Sequence, residues 1–486
     1  MALAEVGALR RQARRVNLPA SPVGSRTVPV SAGSEPLPAA SYLRVAGFKS
    51  IASHRPARLE LRGLTLLAGA NSSGKSALMQ PILLLKQTLE ASYDPGPLLL
   101  DGPHVQFTAI DQLLWRGDAA AAPAGEISIE FGQLPDVRPW IPPVSRRAMP
   151  PVRIHLAPRT EETREYELAL SRVEVFLQDQ WIPIRSDVSP AQITAMLDAF
   201  YRGKFRDRFD PTQCKVTTSA SRFEVWMSID GNGAAATFSP FAPHRDWIRT
   251  LLHLPGLRGH RDRLYPTAHA GDPHHVTAPG PFTPYVAPLL ARWQSTDDPA
   301  ARAALAHVTD AMRRMGLTSA VSATRVNAAQ ITLKVGRLPG DTNDLVDLAD
   351  VGFGVSQVLP VVVALAAAAP GQSVYIEQPE LHLHPRAQLV MGQLLVDATH
   401  RGVKVVVETH SRMILRAIQT EVARRRIEPE AIALHWFSRD PETGATRVDL
   451  AELDEQGAFG EWPVDFADAE AEADDAWLDA VMERTP

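Results

Sequence analysis

The chain has 486 residues, 45% of them hydrophobic and 22% charged, with a formal net charge of -5. That length exceeds what a single hydrophobic core organises, and the composition is that of a folded chain, so general disorder is excluded and more than one structural unit is expected. The balance of charge gives no global case for nucleic acid, the lone Cys214 excludes an internal disulfide or a cysteine metal cage and fits a reducing cytosol, and no apolar run reaches the about 20 residues that span a bilayer.

Residues 1–40 carry Arg10, Arg11, Arg14, Arg15 and Arg26 with few acids and then turn rich in Pro and Ser. This reads as a disordered arm, an over-long start, or a mimic of an organelle transit peptide. Alternation predicts a strand over 42–48 and a second over 59–67 that runs into a glycine-bearing loop, then a helix over 76–90 closed by Asp94-Pro95-Gly96. From 126 to 238 the pattern is strand-like, with strands at 126–131 and 166–176, a hairpin at Asp230-Gly231-Asn232-Gly233, and a helix over 191–206. Residues 250–284 read as loop; a helix follows from Asp298-Pro299 to Gly316, then strands at 322–325 and 331–335. Residues 347–438 run helix, strand, helix, strand, strand, the rhythm of a parallel α/β core. No heptads are sustained, so no long coiled-coil arm is expected. The stretch from Glu452 is acidic, and Trp462-Pro463 and Trp477 suggest that part of it packs. A buried thiol is expected at Cys214.

The sharpest motif is Gly69-Ala70-Asn71-Ser72-Ser73-Gly74-Lys75-Ser76, which fits G-x-x-x-x-G-K-[ST] between a predicted strand and helix. The glycines let successive N–H groups face phosphate oxygens, and the helix start at Ala77 adds partial positive charge. Lys75 neutralises the β- and γ-phosphates, and Ser76 offers its hydroxyl to Mg²⁺. Residues 373–376 form a short strand ending in Glu377-Gln378-Pro379-Glu380. A carboxylate at the tip of the strand beside the phosphate loop is where Mg²⁺ is held, and Glu377 takes that role with Ser76. Gly352-Phe353-Gly354-Val355-Ser356-Gln357 opens a helix, an anion-binding end placed to face a second nucleotide. The strand over 403–407 ends in Glu408-Thr409-His410-Ser411, where a histidine can sense a γ-phosphate.

In this order these elements resemble the ABC-type ATPases, in the soluble branch that includes the SMC, RecF and OLD proteins; the run from Glu377 through His382, His384 and Pro385 looks like that branch's hallmark. A prokaryotic subfamily is more similar still, sharing Leu83-Leu84-Leu85-Lys86-Gln87, the signature over 352–360, and Trp462-Pro463 followed by Phe466. The likeness covers residues 43–118 and 340–466, with an echo at 254–266. It implies an α/β P-loop NTPase head of mixed and parallel sheets flanked by helices, with a large α+β insert between the phosphate loop and the signature. The arm over 1–40, head lobes over 41–120 and 341–450, insert over 121–340 and acidic tail over 451–486 divide the chain accordingly.

The resemblance further implies ATP and Mg²⁺ as cofactors. Phosphates would lie on Gly69, Asn71, Ser72, Ser73, Gly74, Lys75, Ser76 and Ala77, and two heads would close head to tail with Gly354, Ser356 and Gln357 reaching the partner's nucleotide. Two departures stand out. The signature serine sits at Ser356, with Gly354 where it is usual, and Gln378 replaces the glutamate that normally follows the Mg²⁺ carboxylate. A neutral amide orients water but takes no proton, so hydrolysis is expected to be slow, with Glu380, Glu408 and His410 as the remaining catalytic candidates. Gln87, Gln106 and Gln112 are candidates for the nucleotide-sensing glutamine.

The implied function is a cytoplasmic, nucleotide-driven dimer or higher oligomer without a membrane. Relatives of this kind resemble sensor ATPases of bacterial anti-phage defence coupled to a separate effector protein; too little chain follows His410 for the nuclease domain of the OLD branch. A RecF-like DNA clamp and a transporter subunit are the alternatives. Among weaker sets, His382 with His384, and His253, His260, His269, His274 and His275, could bind zinc. Arg258, Arg261 and Arg263 beside Tyr265 could contact phosphate or DNA, or form a solvated face.

Overall fold

The computed structural model describes residues 41–459, with breaks at 97, 118–124, 134–149, 159–167, 202–209, 211, 222–223, 232–233, 259–261, 268–270, 273–274, 277 and 338–343, together with 476, 477 and 480. The arm over 1–40, the Asn232-Gly233 turn, His260, Arg261, His269, His274, Trp462-Pro463 and Phe466 lie outside the described residues.

The chain builds its core sheet from β3 (Leu64–Gly69), β11 (Leu252–Leu254), β18 (Ser373–Glu377), β19 (Lys404–Glu408), β20 (Ile432–Arg439) and β21 (Thr446–Ala451). The order is β11-β18-β19-β3-β20-β21, parallel throughout except at β21. β3 is buried at every residue, as a strand covered on both faces must be. Its alternation sorts side chains to two cores: Leu64, Leu66, Val374, Ile376, Val405 and Val407 face one, while Leu67, Tyr375 and Val406 face the other.

A second, antiparallel sheet has the order β2-β1-β4-β5-β6-β7, from β1 (Ser41–Ala46), β2 (Ala57–Leu61), β4 (Ile127–Phe131), β5 (Val152–Pro158), β6 (Leu168–Leu177) and β7 (Gln180–Pro183). Smaller sheets join β8 (Lys215–Ser221), β9 (Glu224–Gly231) and β10 (Ala234–Phe238), and join β15 (Val321–Arg325), β16 (Gln330–Gly336), β17 (Leu345–Asp347) and the short β12 (Tyr265–Pro266). β13 (Gly271–Asp272) and β14 (His275–Val276) form a separate two-stranded ribbon.

The helices are α1 (Lys75–Glu90), α2 (Pro190–Tyr201), α3 (Ala242–Thr250), α4 (Val286–Ser295), α5 (Pro299–Arg314), α6 (Phe353–Ala367), α7 (Pro385–His400) and α8 (Arg412–Ala423). Asp298 caps α5 by accepting from the Ala300 N–H at 3.0 Å. α6 is buried continuously from Val355 to Leu365, packed on α4, α5 and α7, so its apolar run from Val358 covers a core. Each Val or Leu buried there contributes about 1.5–3 kcal/mol.

Several sequence expectations change. The run 59–67 is two strands in two different sheets, because Arg62-Gly63 turns the chain between them. Strands of the insert over 121–340 pair with strands of the head: β4 with β1, and β11 with β18 inside the core sheet. α4 and α8 were not anticipated; both are short amphipathic helices, α4 just after the loop over 250–284 and α8 between the last two strands of the α/β rhythm. Cys214 is half-buried, its thiol directed at the Asp210 carbonyl at 3.1 Å. Trp477 is exposed.

Candidate nucleotide-binding site

β3 ends at Gly69 and α1 starts at Lys75, so the intervening loop must reverse within a few residues. Gly69, Ser72 and Gly74 take φ values of 143°, 61° and 102°. A Cβ on Gly69 would lie 2.1 Å from the Phe437 carbonyl oxygen, and one on Gly74 would lie 2.1 Å from Thr446 Oγ1, so neither position admits a side chain. α1 has no side-chain cap, which leaves its first N–H groups for an anion. Lys75 is buried, and its Nζ donates to the Gly69 and Ala70 carbonyls at 3.0 and 2.7 Å. Burial lowers its pKa, opposed by the charges of Glu408 and Glu380. Ser73 Oγ is buried with no hydrogen-bond partner among the described residues, an orphan that a phosphate oxygen would satisfy.

The hairpin of β20 and β21 braces this loop from behind. Arg439 Nε donates to the Ser72 carbonyl at 2.7 Å and Thr446 Oγ1 to the Ser73 carbonyl at 3.0 Å. A cleft of about 390 Å³ results, lined by the loop from Asn71 to Ala77 and by Gln378, Glu408, His410 and Arg439.

The carboxylates divide in a way that spacing did not reveal. β19 lies between β3 and β18, so the strand ending in Glu377 is not the one beside the phosphate loop. Ser76 Oγ lies 2.9 Å from both carboxylate oxygens of Glu408, and Tyr375 OH donates to Glu408 at 3.2 Å. Burial, followed by the nearby charge of Glu377, raises the Glu408 pKa against its hydrogen bonds and Lys75. Glu377 is absent from the cleft wall. Its oxygens accept from His253 Nε2 at 3.1 Å and the Gly256 N–H at 3.0 Å. Burial alone would raise its pKa, but His253, Gly256 and Arg258 outweigh that and lower it.

Behind Glu377 a buried polar chain crosses to α1. His253 stacks on Tyr375 at 5.5 Å, and its Nδ1 lies 2.9 Å from His104 Nδ1. His104 Nε2 lies 3.0 Å from Glu90, which pairs with Lys86 at 2.5 Å. The loop histidine expected as a zinc ligand is thus a positioning partner of Glu377. His384 instead caps α7 by accepting from the Arg386 N–H, and His382 packs on Phe353.

Glu380 has both oxygens engaged, by Thr409 Oγ1 at 2.9 Å and the His410 N–H at 2.6 Å. It fixes the turn after β19 and is not among the residues that line the cleft. His410 does face the cleft; burial and the Lys75 charge lower its pKa against the pull of the Gly69 carbonyl. Gln378 sits at φ 43°, held by its N–H on the Glu408 carbonyl at 2.7 Å. Such a conformation costs on the order of 1–3 kcal/mol in a non-glycine residue and marks a constrained position.

The signature behaves differently from expectation. Ser356 and Gln357 are buried within the chain, Ser356 Oγ donating to the Phe353 carbonyl at 3.1 Å, while Gly352, Phe353 and Gly354 form the outward end of α6. Gln357 instead binds Arg258, which is 2% exposed. Arg258 donates to the carbonyls of Gln357, Pro255, Glu377 and Gln378. Burial pushes its pKa down to about 10, opposed by Glu377 and Glu380. Of the described residues of the expected basic face, Arg258 and Tyr265 are interior, and the exposed Arg263 is paired with Asp350 and Asp347. Of the candidate sensor glutamines, Gln87 is buried on the Leu99 carbonyl and Gln106 is exposed, while Gln112 lines a second cleft that shares Lys49, Ser50 and Arg439 with the first.

Residues 249–416 match the family described as "AAA domain, putative AbiEii toxin, Type IV TA system". No curated protein is matched. Similar solved structures include the SMC head domain from Thermotoga maritima, at 11% identity over 85% of this chain and 99% of that one, TM-score 0.37. The SmcHead bound to the C-winged helix domain of ScpA is similar at 12% identity over 86% and 99%, TM-score 0.44. The Smc head domain with an extended coiled coil bound to the C-terminal domain of ScpA derived from Pyrococcus furiosus is similar at 10% over 85% and 96%, TM-score 0.42. The matched stretch runs from the end of α3 through β11, α6, β18, α7 and β19 into α8, the elements that bring Gln378, Glu408 and His410 to the phosphate loop. Residues 249–416 of the chain thus carry a likeness to that AAA domain family.

Proposed function

We propose that this protein is a slowly hydrolysing, nucleotide-driven switch in the cytoplasm, closing head to tail on ATP and signalling to a separate effector. The observation that carries it is the single cleft lined by Lys75, Ser76, Gln378, Glu408 and His410. Bound Mg²⁺·ATP supplies the phosphoanhydride to be cleaved and a cation that neutralises developing charge. The phosphate loop binds the triphosphate, Ser73 Oγ and the first N–H groups of α1 donate to it, Ser76 takes the cation with a strand-tip carboxylate, and Gln378 orients water without accepting its proton. Slow turnover suits a switch, whose closed state must persist.

Phe353, half exposed at the outward end of α6, supports a contact between heads there. The family description names the toxin of a toxin–antitoxin system, which supports a role in defence beside a second protein. A DNA clamp has less support, because Arg258 is buried and Arg263 is paired with Asp347 and Asp350. Among the described residues no helix is long and apolar enough to cross a membrane. The test is ATP hydrolysis and dimerisation by the intact chain, Lys75→Ala and Gln378→Glu. Rapid hydrolysis by the native chain, or no nucleotide-dependent change in mass, overturns the proposal.

A further inference from the structure

We propose that the cavity between α4 and the strands β15 and β16 is a binding site for a small organic anion, a phosphate or carboxylate carried on an apolar body. The cavity shares no lining residue with the nucleotide cleft, and its occupation does not depend on the nucleotide reading. Its volume is about 580 Å³, inside the range of about 300–1,000 Å³ that small-ligand sites take.

The strand pattern builds the cavity. Alternation puts Val321, Ala323 and Arg325 of β15 on one face, the first two buried in the core, and register sets Arg325 opposite the buried Ile331 of β16. The last position of an apolar face is thus a cation. Leu289, Ala323 and Ile331 supply an apolar wall. Gln294 at the end of α4 clamps the helix to the free edge of β15: its Nε2 donates to the Val321 carbonyl at 3.0 Å and its Oε1 accepts from the Ala323 N–H at 2.9 Å. The walls are therefore fixed before any ligand arrives, which lowers the ordering cost of binding.

Charge selects the ligand. Arg292 from α4 and Arg325 from β15 both line the cavity, and among the described residues no acidic side chain does. The exposed arginines Arg263, Arg302, Arg313 and Arg337 each pair with an aspartate, whereas Arg325 has no ion pair among the described residues. Two of the lining hydroxyls are spent on backbone: Thr267 Oγ1 donates to the Ala328 carbonyl and Ser295 Oγ to the Arg292 carbonyl, at 3.0 and 3.1 Å. The guanidinium groups remain as the main donors; they accept nothing, and their forked N–H groups match the oxygens of a carboxylate or phosphate. Two such forks beside an apolar wall fit an anion with a hydrophobic body.

The experiment titrates the full chain with 1-naphthyl phosphate and with 1-naphthoate, followed by naphthyl fluorescence. Competition by 1-naphthol and by inorganic phosphate, which each keep one half of the ligand, gives their affinities. At least one naphthyl anion should bind about 10-fold or more tighter than either half, and the tighter of the two identifies the preferred head group. Arg325→Gln and Arg292→Gln should each weaken it by about 10–100-fold, the worth of a charge-assisted hydrogen bond. Ala291→Leu, which fills the cavity from α4, should weaken it as well and serves if an arginine variant misfolds. Excess Mg²⁺ with a non-hydrolysable ATP analogue should not displace the probe. No binding of either anion, equal binding of 1-naphthol or of inorganic phosphate, affinity unchanged in the variants, or displacement by the ATP analogue overturns the proposal. Each of the first three leaves the nucleotide reading standing, and displacement would place the probe on the phosphate loop.

Discussion

Arg258 and Gln357 hold each other at two points: Gln357 Oε1 accepts from the Arg258 N–H and the Gln357 carbonyl from Arg258 Nε, each at 3.0 Å. The same guanidinium reaches the carbonyls of Glu377 and Gln378, so one buried cation joins the start of α6 to the tip of β18. Arg258→Met should destabilise the fold by on the order of 4 kcal/mol, several carbonyls losing about 1 kcal/mol each. Urea denaturation measures this; a change under 1 kcal/mol would show that the carbonyls find other partners (about the scatter of surface substitutions).

Lys75→Ala should cost about 2–3 kcal/mol of nucleotide affinity, one to two orders of magnitude, since a buried cation on phosphate is lost. Calorimetric titration reads it. The melting temperature without nucleotide should stay close to native, because among the described residues the hydrogen bonds of Lys75 go to two carbonyls of its own loop.

Gln378→Glu should raise single-turnover hydrolysis by about 10²–10⁴-fold, the range a positioned general base supplies. The substitution adds a carboxylate beside the phosphate cleft, so affinity for ATP should fall modestly in the same experiment. Unchanged turnover would mean that another residue already takes the proton.

His253→Ala should leave Glu377 buried with one oxygen unserved. A double-mutant cycle of His253→Ala with Glu377→Gln should give a coupling of about 0.5–3 kcal/mol in stability. His104→Ala should show a smaller effect on Glu377, being one link further along the chain. Additive effects of His253 and Glu377 would separate them.

Burial holds His104, His244 and His435 down at about 4, from an ordinary value of 6.5. Between those values the unfolded chain binds protons that the folded chain refuses. Stability is therefore full above about pH 6.5 and falls as the pH drops toward 4, by on the order of 3 kcal/mol for each histidine. Denaturation at pH 7 and pH 4.5 should show the loss, and His244→Gln should reduce the slope. Glu380 and Glu408, raised by burial, act in the opposite sense in the carboxylate range and moderate it.

The phosphate loop and the parallel core were legible because their signals are local. Glycines at fixed offsets, a strand before and a helix after leave little freedom, and Gly69 and Gly74 take positive φ between β3 and α1. What depended on strand order was not legible. Sequence order does not reveal that β19 inserts between β3 and β18, nor that Ser76 meets Glu408 at the tip of β19. Burial was equally hidden: Ser356, Gln357 and Arg258 look like surface chemistry in the sequence, yet each is consumed inside. His104 and His253, separated by a long stretch of chain, carried no joint signal at all.

The clasp of Arg439 and Thr446 on Ser72 and Ser73 also sets a timetable. A loop near residue 70 is completed by side chains some 370 residues later, which at about 5–20 residues per second takes roughly 20–70 s of translation. The nascent protein thus holds an unfinished phosphate grip for most of its synthesis. It gains the ability to grasp a ligand only as its last strands emerge.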